Sequence, residues 1–292
     1  MRAPADAPPR HAGRRGAYGF RLTGAVADDT LLVDADEAWP ALELVSRRDA
    51  ELPEPAGEAA QATVTFGNAG ARLQLGPSVV IDLVREPASA TFRTRDALDG
   101  RALLHPYLGA AASVAAAWHG RESLHAGAFV HRGRAWGVLG ERTAGKSSLL
   151  AVLHELGRPI VADDILVLDG LAALAAPRSV DLRREAAEAL GIGVPLGRVG
   201  TRERWRVELR DVSPAVELAG WVWLGWGDAI EVATVGARER LRRIASQLTI
   251  PNVPARADAL LELAALPGFE LRRPRDWGVG VAAANALLDT LD

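Results

Sequence analysis

The stretch GVLGERTAGKSSLLAVLHELGRPIVADDILVL, Gly137 to Leu168, decides the fold. It reads as an apolar strand, a glycine-bounded turn, a helix of apolar periodicity closed by Gly157, and a second apolar strand running to the Asp169-Gly170 turn. Strand, turn, helix and strand in that order make a crossover unit, and further strands alternating with helices predict a parallel sheet covered on both faces.

The turn itself is specific. Gly140-Glu141-Arg142-Thr143-Ala144-Gly145-Lys146-Ser147, followed by Ser148, satisfies G-x-x-x-x-G-K-[ST] in the strand-to-helix setting that pattern requires. Backbone N–H groups of such a loop, with the helix N-terminus, surround nucleotide phosphates. Lys146 can reach the β and γ oxygens as a compact point charge, and the Ser147 hydroxyl can ligate Mg²⁺. The chain has 34 Lys plus Arg, and Lys146 is its single lysine, so a residue avoided elsewhere is kept where arginine's wider planar fork would not serve. Thr143 stands where many such loops have a further glycine.

The next strand ends at Asp163-Asp164. In a right-handed crossover it runs parallel to the first strand, which brings its carboxyl end beside the loop. Two carboxylates there can divide the work of phosphoryl transfer, one accepting the proton of an attacking hydroxyl and the other holding the metal. Successive strand residues point to opposite faces, so both serve one site only if the strand ends or bends there.

Outward from this unit the patterning changes. From Tyr18 to about Arg93 the period is two, with Tyr18, Phe20 and Leu22 on one face, a turn at Gly67 to Gly70, a strand at Val79 to Val84 and a polar loop GEAAQ. A helix broken near Pro106 follows. Downstream come the strands WRVEL and WVWLGWG, the helix ARERLRRIASQL and a closing helix after FELRR. Arg204 and Arg206 share a strand face that reads as solvated. Trp221, Trp223 and Trp226 read as core or as a docking surface. His119, His131 and His154 lack metal-ligand spacing.

A chain of 292 residues with 49% hydrophobic and 24% charged residues is an ordinary globular composition. The net charge of -3 gives no electrostatic case for nucleic acid or an anionic membrane, so phosphate recognition must be local. Cysteine is absent, which removes disulfides, thiolate metal sites and a cysteine nucleophile. The first residues lack an apolar segment of signal-peptide type, and residues 1–17 read as a disordered tail of a cytoplasmic protein. Residues 18–100 then form a β-rich module and 101–292 the core.

The run Ser123 to Leu168 resembles the HPr kinase/phosphorylase family and the HPr-kinase-like kinases of peptide-tailoring pathways. Three features match in order: Leu124-His125 opening a strand, the loop ending Gly-Lys-Ser-Ser, and Ala162-Asp163-Asp164 closing the next strand. The resemblance implies an α/β fold, a P-loop HPr-kinase-like core behind a small N-terminal β-rich module. It implies that Gly140 to Ser148 bind ATP, with Lys146 on the phosphates, Ser147 and Asp164 on Mg²⁺, Asp163 as general base and His125 near the phosphates. The expected reaction is transfer of the γ-phosphoryl group to a serine of a protein or ribosomally made peptide, with homo-oligomerisation left open. The second signature of HPr kinases is not found after the Asp pair, which leaves HPr and the reverse reaction without support. A nucleotide-binding regulatory protein and a small-molecule kinase are the alternatives.

Overall fold

The computed structural model describes residues 15–26, 29–54, 62–200, 202–250, 256 and 258–292. Period-two patterning builds the first sheet from β1 (Arg15–Ala17), β2 (Phe20–Gly24), β3 (Val33–Asp34), β4 (Ala41–Arg48), β5 (Ala62–Phe66), β6 (Gly70–Leu75), β7 (Val79–Val84) and β8 (Ser89–Thr94). These lie in the order β3-β1-β2-β4-β8-β7-β6-β5, antiparallel except where β4 pairs with β2 and β8. Tyr18, Phe20 and Leu22 are all buried, as their spacing predicts. The turn between β5 and β6 closes with Gly67 N donating to Gly70 O.

Arg15 to Ala17 are a strand and not the end of a tail. Gly16 pairs with both Arg21 and Val33, and Ala17 is fully buried. Three residues are too few to show a period, which is why the sequence reads past them. Residues 1–14 of the expected tail and the loop GEAAQ lie outside the described residues.

The chain then passes through α1 (Gly100–Ala102), a wide turn at Leu103–Tyr107 and α2 (Leu108–Trp118). The break falls where expected, because the residue before Pro106 is pushed from helical to extended geometry, and His105 has φ -147 and ψ 127. Alanine and glycine dominate α2, and these small side chains let it fit against β6 and β7 on one side and β9 (Glu122–Leu124) on the other.

The second sheet continues with β10 (Gly127–His131) and β11 (Arg134–Leu139). After α3 (Lys146–Glu155) come β12 (Ile160–Ala162), β13 (Leu166–Asp169) and β14 (Ala172–Leu174). A small sheet is built from β15 (Ser179–Leu182), β16 (Val194–Val199) and β17 (Arg202–Glu208), with α4 (Arg184–Leu190) between the first two. The chain closes with β18 (Ala215–Trp226), β19 (Glu231–Thr234), α5 (Ala237–Ala245), α6 (Ala259–Ala265), β20 (Gly268–Arg273), a short turn at Trp277–Val279 and α7 (Gly280–Leu291).

The second sheet runs β12-β10-β11-β18-β14-β13-β9, with β20 and then β19 joined along the distal half of β18. It is mixed and not parallel throughout: β11, β18 and β20 are parallel neighbours, whereas β10, β12, β13 and β14 make antiparallel pairs. Since β10 is antiparallel to both β11 and β12, the latter two run the same way, as a crossover requires, with β10 between them. The strand expected across PIVADDILVL is two strands. Its second half pairs with β9 and β14, and Ala176 N donates to Val161 O, so the sheet curls to bring these edges together.

The central strand β18 explains the double-sided apolar pattern of WVWLGWG. Leu218, Trp221 and Trp223 enter a core shared with α2 and the first sheet, while Ala219, Val222 and Leu224 enter a core formed with α3 and α7. Gly137 on β11 leaves the space that the Trp221 ring fills. The result is a mixed α/β protein, and no helix among the described residues is long and apolar enough to cross a membrane.

Candidate active site

The loop 140–145 leaves the carboxyl end of β11 and turns directly into α3. Gly145 opens the helix at φ +84, a left-handed conformation that favours glycine, and it lies against Arg273, whose Nη2 would be 2.5 Å from a Cβ at this position. Leu149 N is the first amide to reach a helical carbonyl, Gly145 O, so the amides of Lys146, Ser147 and Ser148 belong to the open helix end, where an anion is favoured. Thr143 adopts φ +70, the left-handed conformation that glycine supplies in related loop patterns. Glu141, Arg142 and Thr143 are exposed, and Ala144 is buried.

Lys146 Nζ folds back to donate to Gly140 O at 2.7 Å and to Glu141 O at 3.5 Å. Burial lowers its pKa, and the charges of Asp164 and Asp163 oppose that shift. An incoming anion would exchange these neutral carbonyl partners for charged ones.

Asp163 and Asp164 serve one cleft because the chain bends between them. Asp164 has φ +70, and Ile165 N donates to Asp163 O, closing a tight turn between β12 and β13. Ser147 Oγ donates to Asp163 Oδ1 at 3.0 Å, which ties the first turn of α3 to the end of β12. Asp163 is 5% exposed, and its pKa is raised to about 7, first by burial and then by the charge of Asp164, against the bond from Ser147. His125 Nε2 lies 3.3 Å from Asp164 Oδ1, both side chains being about half exposed. The loop, Lys146, Ser147, the two aspartates and His125 therefore meet in one place, with Ser147 beside Asp163 and not Asp164.

These donors suit one kind of metal. Hydroxyl and carboxylate oxygens are the ligands of Mg²⁺, which takes few protein ligands and completes its shell with phosphate and water. Ser147 with Asp163 or Asp164 offers that set. Among the described residues no group of three or more His, Asp or Glu side chains forms a closed cage.

The cleft has a volume of about 1210 Å³ and extends beyond these residues in two directions. One arm passes His105 and Arg204 toward an apolar wall of Val64 and Leu73 from the first sheet and Val114 from α2. Arg204 Nη1 donates to His105 Nε2 at 3.1 Å, and because guanidinium cannot accept, that ring is neutral with its proton on Nδ1. Burial lowers the His105 pKa. Arg206 is not on a solvated face: it is 2% exposed and donates through Nε and Nη2 to both oxygens of Asp181 at 2.8 and 2.9 Å. The small sheet folds this face of β17 inward against α1, where Arg206 also donates to Arg101 O. His105, Arg204 and Asp181 join the cleft through contacts far apart in sequence, and an isolated strand pattern carries no sign of them.

Beside Gly145 the cleft is lined by Trp226 and Arg273, with Arg275 over the Trp226 ring, and Trp277 lines it from the short turn that packs near α4. The three tryptophans of WVWLGWG divide: Trp221 and Trp223 are core, whereas Trp226 is 41% exposed.

No protein-family model and no curated protein sequence matches the chain. Among solved structures it is similar to the HPr(Ser) kinase/phosphatase from Coxiella burnetii at a TM-score of 0.29 and 13% identity, over 59% of this chain and 99% of that one. That likeness is too distant to speak for fold family or activity, which must rest on the site itself.

Proposed function

We propose that the protein is a cytoplasmic kinase that uses ATP and Mg²⁺ to transfer the γ-phosphoryl group to a serine hydroxyl of a peptide or protein. The observation that carries this reading is the 3.0 Å bond joining Ser147, in the first turn after the glycine loop, to Asp163, a buried carboxylate raised to about 7. A phosphate-binding loop needs charge complementarity alone, whereas a carboxylate poised at neutral pH beside it supplies a proton acceptor.

In this reading the 140–148 backbone and Lys146 hold the donor phosphates. Asp163 takes the proton of the acceptor hydroxyl as its oxygen bonds to the γ-phosphorus, and the bond to the bridging oxygen breaks to release ADP. Asp164, steadied by His125, keeps the local charge negative and so favours proton uptake by Asp163. Mg²⁺, held by Ser147 and an aspartate, would neutralise charge on the phosphates. The cleft exceeds the roughly 300–1,000 Å³ of a single small-ligand site, and its apolar arm toward the first sheet favours a peptide segment as acceptor.

The test is phosphoryl transfer from Mg-ATP to serine peptides, proteins and free serine, read by mass spectrometry against Lys146→Ala. A single added phosphoryl group on a peptide or protein serine, absent with the variant, supports the reading. ATP binding without transfer to any acceptor would instead identify a nucleotide-binding regulatory protein, and transfer to free serine alone a small-molecule kinase.

A further inference from the structure

We propose that the nucleoside end of the donor rests on a shelf made by Trp226, Arg275 and Trp277, and that this shelf reads the base by stacking, so that ATP and GTP are both accepted. The inference rests on the phosphate-loop reading above and extends it to donor specificity.

Topology sets the direction. The loop follows β11, and the aspartates follow β12 on one side of it, across β10. With the γ-phosphate toward Asp163, the remainder of a nucleotide leaves on the other side, over the carboxyl ends of β18 and β20, which run parallel to β11. Trp226 is the last residue of β18 and Arg273 of β20, and they are register partners. A Cβ on Gly145 would sit 3.5 Å from Trp226 Cη2, so this indole borders the loop.

The shelf has the chemistry of a base and phosphate site. Trp226 and Trp277 are 41% and 48% exposed, large aromatic surfaces left in water along one cleft. Guanidinium groups of Arg273 and Arg275 lie 4.7 and 5.8 Å from the Trp226 ring centre. Arg273 is 6% exposed, its Nη2 donates to Ala144 O at 3.0 Å, and its buried Nη1 has no hydrogen-bond partner. A buried cation fixed to the loop by a neutral carbonyl is matched by an anion arriving next to it. Stacking engages the face of a base and not its hydrogen-bonding edge, so it tolerates either purine.

The experiment is calorimetric titration of the full chain with Mg-ATP, Mg-GTP and Mg-tripolyphosphate. Wild type should bind both nucleotides with affinities within a few-fold of each other and at least roughly 10-fold more tightly than tripolyphosphate. Trp226→Ala should weaken both nucleotides by roughly 10-fold or more while leaving tripolyphosphate unchanged, and Trp226→Phe should restore most of the loss. The proposal is overturned if Trp226→Ala binds Mg-ATP like wild type, if tripolyphosphate binds as tightly as ATP, or if one purine is strongly preferred. Absence of tripolyphosphate and nucleotide binding in wild type would overturn the phosphate-loop reading as well, which separates the two failures.

Discussion

Two carboxylates are buried at the base of the cleft, and they have opposite surroundings. Asp181 receives both forks of Arg206, so its charge is matched by a cation in bidentate geometry. Asp163 receives one hydroxyl hydrogen bond from Ser147 and faces a second carboxylate at Asp164, and its pKa climbs to about 7. A buried charge that is fully paired holds structure together, while one left underpaired is held in readiness to exchange a proton. The same residue type at similar burial thus has a structural role in one place and a chemical role in the other.

The largest expected effect tests the chemical member. Asp163→Asn removes the proton acceptor and should reduce the phosphoryl-transfer rate by about 10²–10⁴-fold, while Mg-ATP binding measured by calorimetry changes far less. Retained turnover would remove Asp163 from the reaction. Asp181→Asn should act on the fold instead, leaving Arg206 buried without its carboxylate and costing about 3–5 kcal/mol in denaturant unfolding. A variant at Asp181 that keeps its stability but loses transfer would reverse the assignment of the two residues.

Titration separates them further. The pKa of Asp163 rises from 3.8 in its ordinary state to about 7 when folded. Between those values the folded chain holds a proton that the unfolded chain has released, so this group makes stability fall as pH rises through the window. Asp163→Asn should therefore be more stable than wild type at pH 8, by an amount on the order of 1–3 kcal/mol, with the advantage shrinking toward pH 4. Thermal melts across pH check this, and equal pH dependence in both proteins would refute it. For the same reason kcat/KM should rise with pH to a plateau above about 7, because only the deprotonated Asp163 accepts the hydroxyl proton.

Legibility in the sequence divides along the same line. The loop, Lys146, Ser147 and the Asp pair lie within one crossover unit, so a local pattern places them together, and the bend they needed is present at Asp164. Arg206 and Asp181 meet only because β17 pairs with β15, and alternation on a single strand cannot say which face the small sheet turns inward. Trp226 shares its strand with Trp221 and Trp223 but lies at the end of β18, where the covering layers stop, so burial differs at equal sequence character. The mixed sheet is not legible in the crossover pattern because β10, joined to β11 by a tight hairpin at Arg132-Gly133, takes β12 as its second neighbour, and that distant pairing is encoded in neither strand.

Thr143 gives the smallest expected effect. Its φ of +70 is unfavourable for a β-branched side chain, and a non-glycine residue in that region costs of the order of 1–3 kcal/mol. Thr143→Gly relieves this strain but loosens the unfolded chain, which cancels part of the gain. The net expectation is stabilisation of roughly 0.5–1 kcal/mol, read as a higher denaturant midpoint at unchanged slope, with nucleotide affinity retained because the loop already has the glycine-like shape. If stability falls, the threonine side chain is itself holding the loop and serves the fold, whereas a gain in stability accompanied by lost nucleotide affinity would place the strain at this position with Asp163, as a feature kept for the site.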